Sequence, residues 1–149
     1  MSGSLNHSPA EIVRRVLIDL SLGTDPSDGG TYPIFVSLEP NKPDNVITLY
    51  NTVGIIDARS MVTGEMFEHF GIQVRVRDSK FKDGEDKSRD ISVALDETIN
   101  YNTVTIGSTS YTLYTASRKG SILSLGREVP KSNRHIFVTN ATVALEQTS

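Results

Sequence analysis

The sequence predicts an α+β fold, a single, mostly antiparallel β-sheet flanked by two helices. Three stretches carry the prediction. Residues 8–23 have a capped start, one apolar face and a glycine at the end. In residues 70–77, Phe70, Ile72, Val74 and Val76 alternate with Gly71, Gln73, Arg75 and Arg77, the period of a strand with one buried face. Residues 82–99 pass from a charged run to Ile91, Ala94, Leu95 and Ile99 at helical spacing.

Taken in order, residues 1–7 are small and polar and read as a disordered tail on a single domain spanning 1–149. That length suits one domain and is enough to bury a core. Ser8 is placed to cap the first helix, Pro9 occupies its first turn and Glu11 completes a capping box. Ile12, Val16, Leu17 and Leu20 form its apolar stripe, and Gly23 is its expected stop. A loop rich in Asp, Ser and Gly follows. Pro33–Leu38 and Val46–Asn51 read as two strands, expected to be antiparallel, joined by a turn that carries Pro40 and Pro43. Thr52–Met66 shows neither period yet carries Val53, Ile55, Ile56, Met61, Val62 and Met66. A loop with that much apolar surface is covered either by its own domain or by a neighbouring subunit. After the central strand, Asp83-Gly84 reads as a polar turn before the second helix, and Asn100–Thr103 as another turn. Val104–Ile106 and Tyr111–Thr115 form a hairpin around Gly107. Ala116–Asn133 reads as a long connection, and residues 135–145 as a closing strand.

Bulk properties narrow the function. The chain has no cysteine, which removes disulfides and thiolate zinc sites. Its net charge of -3, with both signs mixed, is unlike a dedicated nucleic-acid binder. It shows neither a signal peptide nor a bilayer-length apolar run, so no membrane role is expected and the chain is expected to be cytoplasmic when made.

Catalytic patterns are missing from the sequence. His7, His69 and His135 stand apart, with no zinc-protease, nucleophile-elbow, Walker or dinucleotide motif. Asp83, Glu85, Asp86 and Asp90 suit a helix start, and their spacing is not that of a calcium loop. Glu65, Glu68 and His69 read as a surface ion pair more readily than as a metal site. The expectation is therefore a non-enzyme with no cofactor and no metal. The long connection sets Arg118, Lys119, Arg127, Lys131 and Arg134 against one acid, Glu128. Such a loop is usually functional or becomes ordered on binding. It lacks interleaved aromatics, so a solvated loop or an acidic protein surface fits it better than stacked bases. Arg75 and Arg77 occupy the outward face of the central strand, where they meet water or acids of another element or subunit.

Several of these stretches resemble a known family. Pro40-Asn-Lys-Pro-Asp-Asn-Val-Ile-Thr-Leu-Tyr50 is similar to a "P-D-x-x-I-x-L-Y" segment, and Gly71-Ile-Gln-Val-Arg-Val-Arg77 to a central "Q-V-R-V-R" strand. Leu125-Gly-Arg-Glu128 resembles an "L-G-R-D" turn, and Phe137-Val-Thr-Asn140 a closing strand. The family is that of tailed-phage minor capsid proteins similar to tail terminator (tail completion) proteins, and the likeness runs over about residues 33–145. The longer loop at 24–31, and Thr52-Val53-Gly54 where the family has Gly-Gly, depart from it.

The resemblance implies a virion protein that forms a hexameric ring at the head-proximal end of a long tail tube. The ring stops tube growth and presents a face to the head connector or stopper, and DNA passes through the lumen only as cargo. On that reading Val53, Ile55, Ile56, Met61 and Met66 are candidates for subunit or tube contact, with Arg75 and Arg77 as candidates for ion pairs between subunits. Arg118, Lys119, Arg127, Lys131 and Arg134 are candidates for the connector. The alternatives are a head-completion stopper of the neck and, in a different class, a nucleic-acid-binding module that uses the basic loop.

Overall fold

The computed structural model describes residues 5–56, 68–127 and 134–148. Helix α1 (Pro9–Asp19) leads through a 3-10 turn at Pro26–Asp28 to β1 (Ile34–Val36), β2 (Val46–Ile56) and β3 (Glu68–Asp78). Helix α2 (Phe81–Val93) continues into a π-helical turn at Ala94–Thr98. Strands β4 (Asn100–Ile106), β5 (Thr109–Arg118), β6 (Leu123–Arg127) and β7 (His135–Gln147) complete the chain. The strands form one sheet in the order β1-β2-β3-β7-β5-β4, with β6 also paired to β7. All these pairings are antiparallel except β1 with β2.

Register decides which face is which. Ile47 lies opposite Val76 and Val76 opposite Phe137, while Leu49 lies opposite Val74 and Val74 opposite Thr139. Paired residues share a face, so these rows form one apolar surface. Both helices cover that same surface. Asn51 Oδ1, also on it, accepts the Ala10 N–H of α1 at 2.9 Å. Ser92 of α2 meets Thr139 at 3.5 Å. Ile12, Val13 and Leu17 of α1, with Ile91 and Leu95 of the second helical stretch, join Ile47, Leu49, Ile72, Val74, Val76, Phe137 and Val143 in one buried cluster. The expected fold class holds: one mostly antiparallel sheet with two helices packed on it.

The start of α1 is as its sequence dictates. Ser8 accepts from the Glu11 N–H and Glu11 reaches back to the Ser8 N–H. Its end differs from expectation. The Leu22 N–H bonds Leu17 O and the Ser21 N–H bonds Ile18 O, and Ser21 takes a φ of 62°. That is the left-handed closure in which glycine is usual. Gly23 is needed for a different reason, because a Cβ there would lie 2.5 Å from the Ile34 side chain.

Other expectations are corrected. Strands β1 and β2 are parallel, because residues 37–45 cross over the sheet instead of turning back. Strand β2 runs on to Ile56 and pairs Ile55 with His69, so Val53, Ile55 and Ile56 stand on a strand. Met61, Val62 and Met66 lie outside the described residues. Asn100–Thr103 belongs to β4 rather than to a turn. The long connection holds the last residues of β5 and all of β6. Residues 5–7 of the expected tail are docked: Asn6 N–H donates to Gln147 Oε1, and His7 Nδ1 lies 2.6 Å from the hydroxyl of buried Tyr111. Gly84 sits inside α2 rather than in a turn, buried where a Cβ would come 2.7 Å from Phe137 Cε2 and 3.0 Å from Asp78 Cβ.

Gly84 yields a signed prediction. Gly to Ala in an exposed helix gains about 1 kcal/mol. Here the methyl meets a ring that is itself buried, so Gly84→Ala should cost about 1–3 kcal/mol through overpacking. Denaturant midpoints measure it, and a stabilised variant would show that α2 is free to move off Phe137.

Candidate assembly surfaces

The face of the sheet away from the helices is built around two arginines. Arg75 and Arg77 point there because β3 alternates, with Thr48 and Val46 of β2 beside them. The crossover at residues 37–45 lies over this face as a strap and brings Glu39 to both arginines. Arg75 Nε is 2.7 Å from Glu39 Oε2, and Arg77 Nη1 is 3.3 Å from Glu39 Oε1. The first is an ionic contact whose atoms are not in line for a hydrogen bond. Arg77 is only 2% exposed and turns its guanidinium to the strap backbone. Its Nη2 donates to Pro40 O at 2.6 Å, Pro43 O at 2.8 Å and Asn41 O at 3.3 Å, and its Nε donates to Asp44 O at 3.1 Å. Two prolines remove backbone donors from the strap and leave carbonyls to be satisfied, and a planar guanidinium with five donors suits that task.

A third arginine closes the strap from the far side. Arg134 donates to Asn41 O at 2.5 Å and lies 3.6 Å from Asp44 Oδ1. The ammonium of Lys42, bonded to Asp44, holds that carboxyl below its ordinary range, with Arg134 and Arg77 acting the same way. At the head of α2, the buried Asp78 carboxylate accepts the Tyr32 hydroxyl and the Lys80 N–H. Burial, then the bond to Asp78, raises the Tyr32 hydroxyl well above the usual phenol range. These groups are neutralised structural polar groups. None is set beside a nucleophile or a second carboxylate in an open pocket.

A groove of about 750 Å³ lies between the two sheet edges. Ile34 and Val36 of β1 form one wall, Thr105 and Ile106 of β4 the other, and Arg14 and Glu11 of α1 reach it from below. Its charges are matched locally: Arg14 donates to Ile34 O at 2.8 Å and pairs with Asp25 at 3.3 Å. His69, Asp83, Glu85, Asp86 and Asp90 do not gather with other ligands into a metal cluster among the described residues.

The sequence-derived candidates separate. Arg75 and Arg77, expected to pair between subunits, find their acid within the chain, at Glu39. Val53, Ile55 and Ile56 extend β2 next to β3, beyond the strap. Arg118 pairs with Asp96 at 3.3 Å, Lys119 is exposed, and Arg127 ends β6. Arg134 belongs to the strap, and Lys131 lies outside the described residues. Sequence reading missed Glu39, whose only signal was an acid beside two prolines, and Leu123 and Leu125, both 54% exposed on β6.

Residues 16–147 match the family model described as bacteriophage tail terminator protein. No curated protein matches the sequence. Among solved structures, the chain is similar to one from the virion of a native gene transfer agent (GTA) particle. That likeness has 12% identity, covers 77% of this chain and 78% of that one, and has a TM-score of 0.44.

The strap gives a second prediction. Arg77→Met leaves Glu39 with Arg75 alone and several buried carbonyls without a donor, and should cost about 3–5 kcal/mol. Arg75→Met, at a more open pair, should cost about 1 kcal/mol or less. Denaturant unfolding of both, with protease cleavage at residues 38–45 as the local readout, checks the order; equal losses would contradict the assignment.

Proposed function

The chain belongs to the bacteriophage tail terminator family and is a structural component of the phage tail; from that premise we propose that it closes the tail tube as a ring. As a single domain, copies of the chain join head to tail into a hexamer at the head-proximal end of the tube. One face of the ring copies the tube's own contact, and the other accepts the head connector but no further tube subunit. The work is geometric, with no chemical step and no cofactor, and DNA slides through the lumen. Assembly takes place in the host cytoplasm.

The observation that carries this reading is the family match over residues 16–147. The strap supports it, because a face pinned by Arg77 is stiff enough to serve as a contact. The far end of β2, with Val53, Ile55 and Ile56, and Met61 and Met66 beyond it, is the proposed subunit or tube contact. Arg118, Lys119, Arg127, Lys131 and Arg134 are the proposed contacts for the connector. The neck stopper differs in its partner, and co-purification with tube or with portal separates the two. A DNA-binding module predicts affinity that falls steeply with salt.

Light scattering of the purified protein, alone and mixed with tail tubes, followed by electron microscopy, is the direct test. A hexameric ring, free or on tube ends, is expected. A monomer that ignores tubes and shifts on DNA would overturn the reading. Ile55→Asp combined with Met61→Asp should abolish ring formation or tube binding, and intact rings from that variant would remove this end of β2 from the contact.

A further inference from the structure

The sheet manages its edges unequally. The outer edge of β1 is capped: Ile34 N–H donates to Thr24 O at 2.9 Å, and Ile34 O accepts from Arg14. The edge on the other side of β7 is made by β5 and β6, which run in the same direction along it. Their pairings with β7 run from Tyr111–Gln147 to Arg118–Ala141 and resume at Leu123–Val138. They are one long strand interrupted at residues 119–122. Strand β4 covers only the Thr109–Thr115 part. Asp96 Oδ1 caps the Arg118 N–H. Past that point, β6 shows no partner on its outer edge among the described residues.

Against the usual protections of an edge strand, that stretch has its shortness, Arg127 and a register shift between Ser124 and Gly126, and nothing more among the described residues. It contains no proline and no lysine, Leu123 and Leu125 are half exposed, and a Cβ added at Gly126 would meet nothing within 4 Å. A bare apolar edge is a template for another strand. Strand β4 is the other edge; its Asn100 N–H bonds Asn102 Oδ1 at 2.6 Å, and past that point it shows no cap among the described residues. It carries Tyr101, 71% exposed, and follows Asp96 and exposed Glu97.

Charge selects the occupant. Residues 118–134 hold five bases and one acid, a net +4; with -3 for the whole chain, the remainder carries -7. The rest of a second copy therefore carries the opposite net charge to residues 118–134, the segment that holds β6. We propose that β6 of one copy pairs edge to edge with β4 of the next and continues the sheet across subunits. Two unlike edges make a heterologous contact, which closes into a ring when the rotation allows it. The inference rests on the ring reading above and names the surface that builds it.

Since the chain has no native cysteine, cross-linking is clean. The double variant Leu125→Cys, Tyr101→Cys would be oxidised alone and on tail tubes, with both single variants and wild-type ring formation followed in parallel. A reducible ladder of multimers from the double variant, absent from either single variant, is expected. Wild-type rings without a ladder would overturn the β6–β4 pairing and leave the ring reading standing. Dimers from Leu125→Cys alone would overturn it in favour of a symmetric contact. A wild type that forms no ring, free or on tubes, would overturn the ring reading, and the pairing with it.

Discussion

A buried guanidinium holding a proline-rich backbone is the constraint on which the rest of this structure depends. A parallel β1–β2 pair joined by nine residues needs a crossover, and a crossover laid on a sheet face brings carbonyls that the sheet cannot satisfy. Arg77 satisfies four of them, and Glu39 balances its charge. A buried cation is tolerated only when it is paired and fully hydrogen-bonded, and the strap meets both conditions. The helices are then free to occupy the opposite face, where the rows of β2, β3 and β7 are apolar apart from Asn51, Thr139 and, at the end beside α2, Asp78 and His135.

The two faces thus have different physics. The helix face is held by burial and by tight fits such as Gly84 against Phe137 and Gly23 against Ile34. The strap face is held by directed polar bonds. A tail protein needs a body that keeps its shape under load and surfaces that accept neighbours. In this chain the core and strap supply the first, and the proposed pairing sets the second at the sheet edges, where residues of β4 and β6 are exposed.

Much of this was legible in the residues. The capping box of α1 and the alternation of β3 are local signals, and both appear as read. What failed was non-local. The direction of β1 against β2 depends on where the strap is anchored, and the anchor, Arg77, lies more than thirty residues downstream of it. Gly84 looked like a turn residue because its need for space comes from Phe137, on another element. β6 looked like loop because its leucines face outward and no apolar period marks it. The stretch Pro43–Tyr50 and the strand Gln73–Arg77, read separately as family-like words, turn out to be the two halves of one contact. Arg75 and Arg77, read as surface charges for a neighbour, instead meet Glu39, an acid with no pattern to advertise it.

Arg77 grips the strap by its carbonyls and barely by its side chains. Every amino acid supplies the same carbonyl, so Arg77's own hold on residues 40–44 does not depend on which side chains they carry. Leu38 and Lys42, both turned to solvent, can be exchanged with little effect on the fold beneath them. The strap is in this sense a writable label on a fixed mount, and a chain built this way could change what it recognises without having to learn again how to fold.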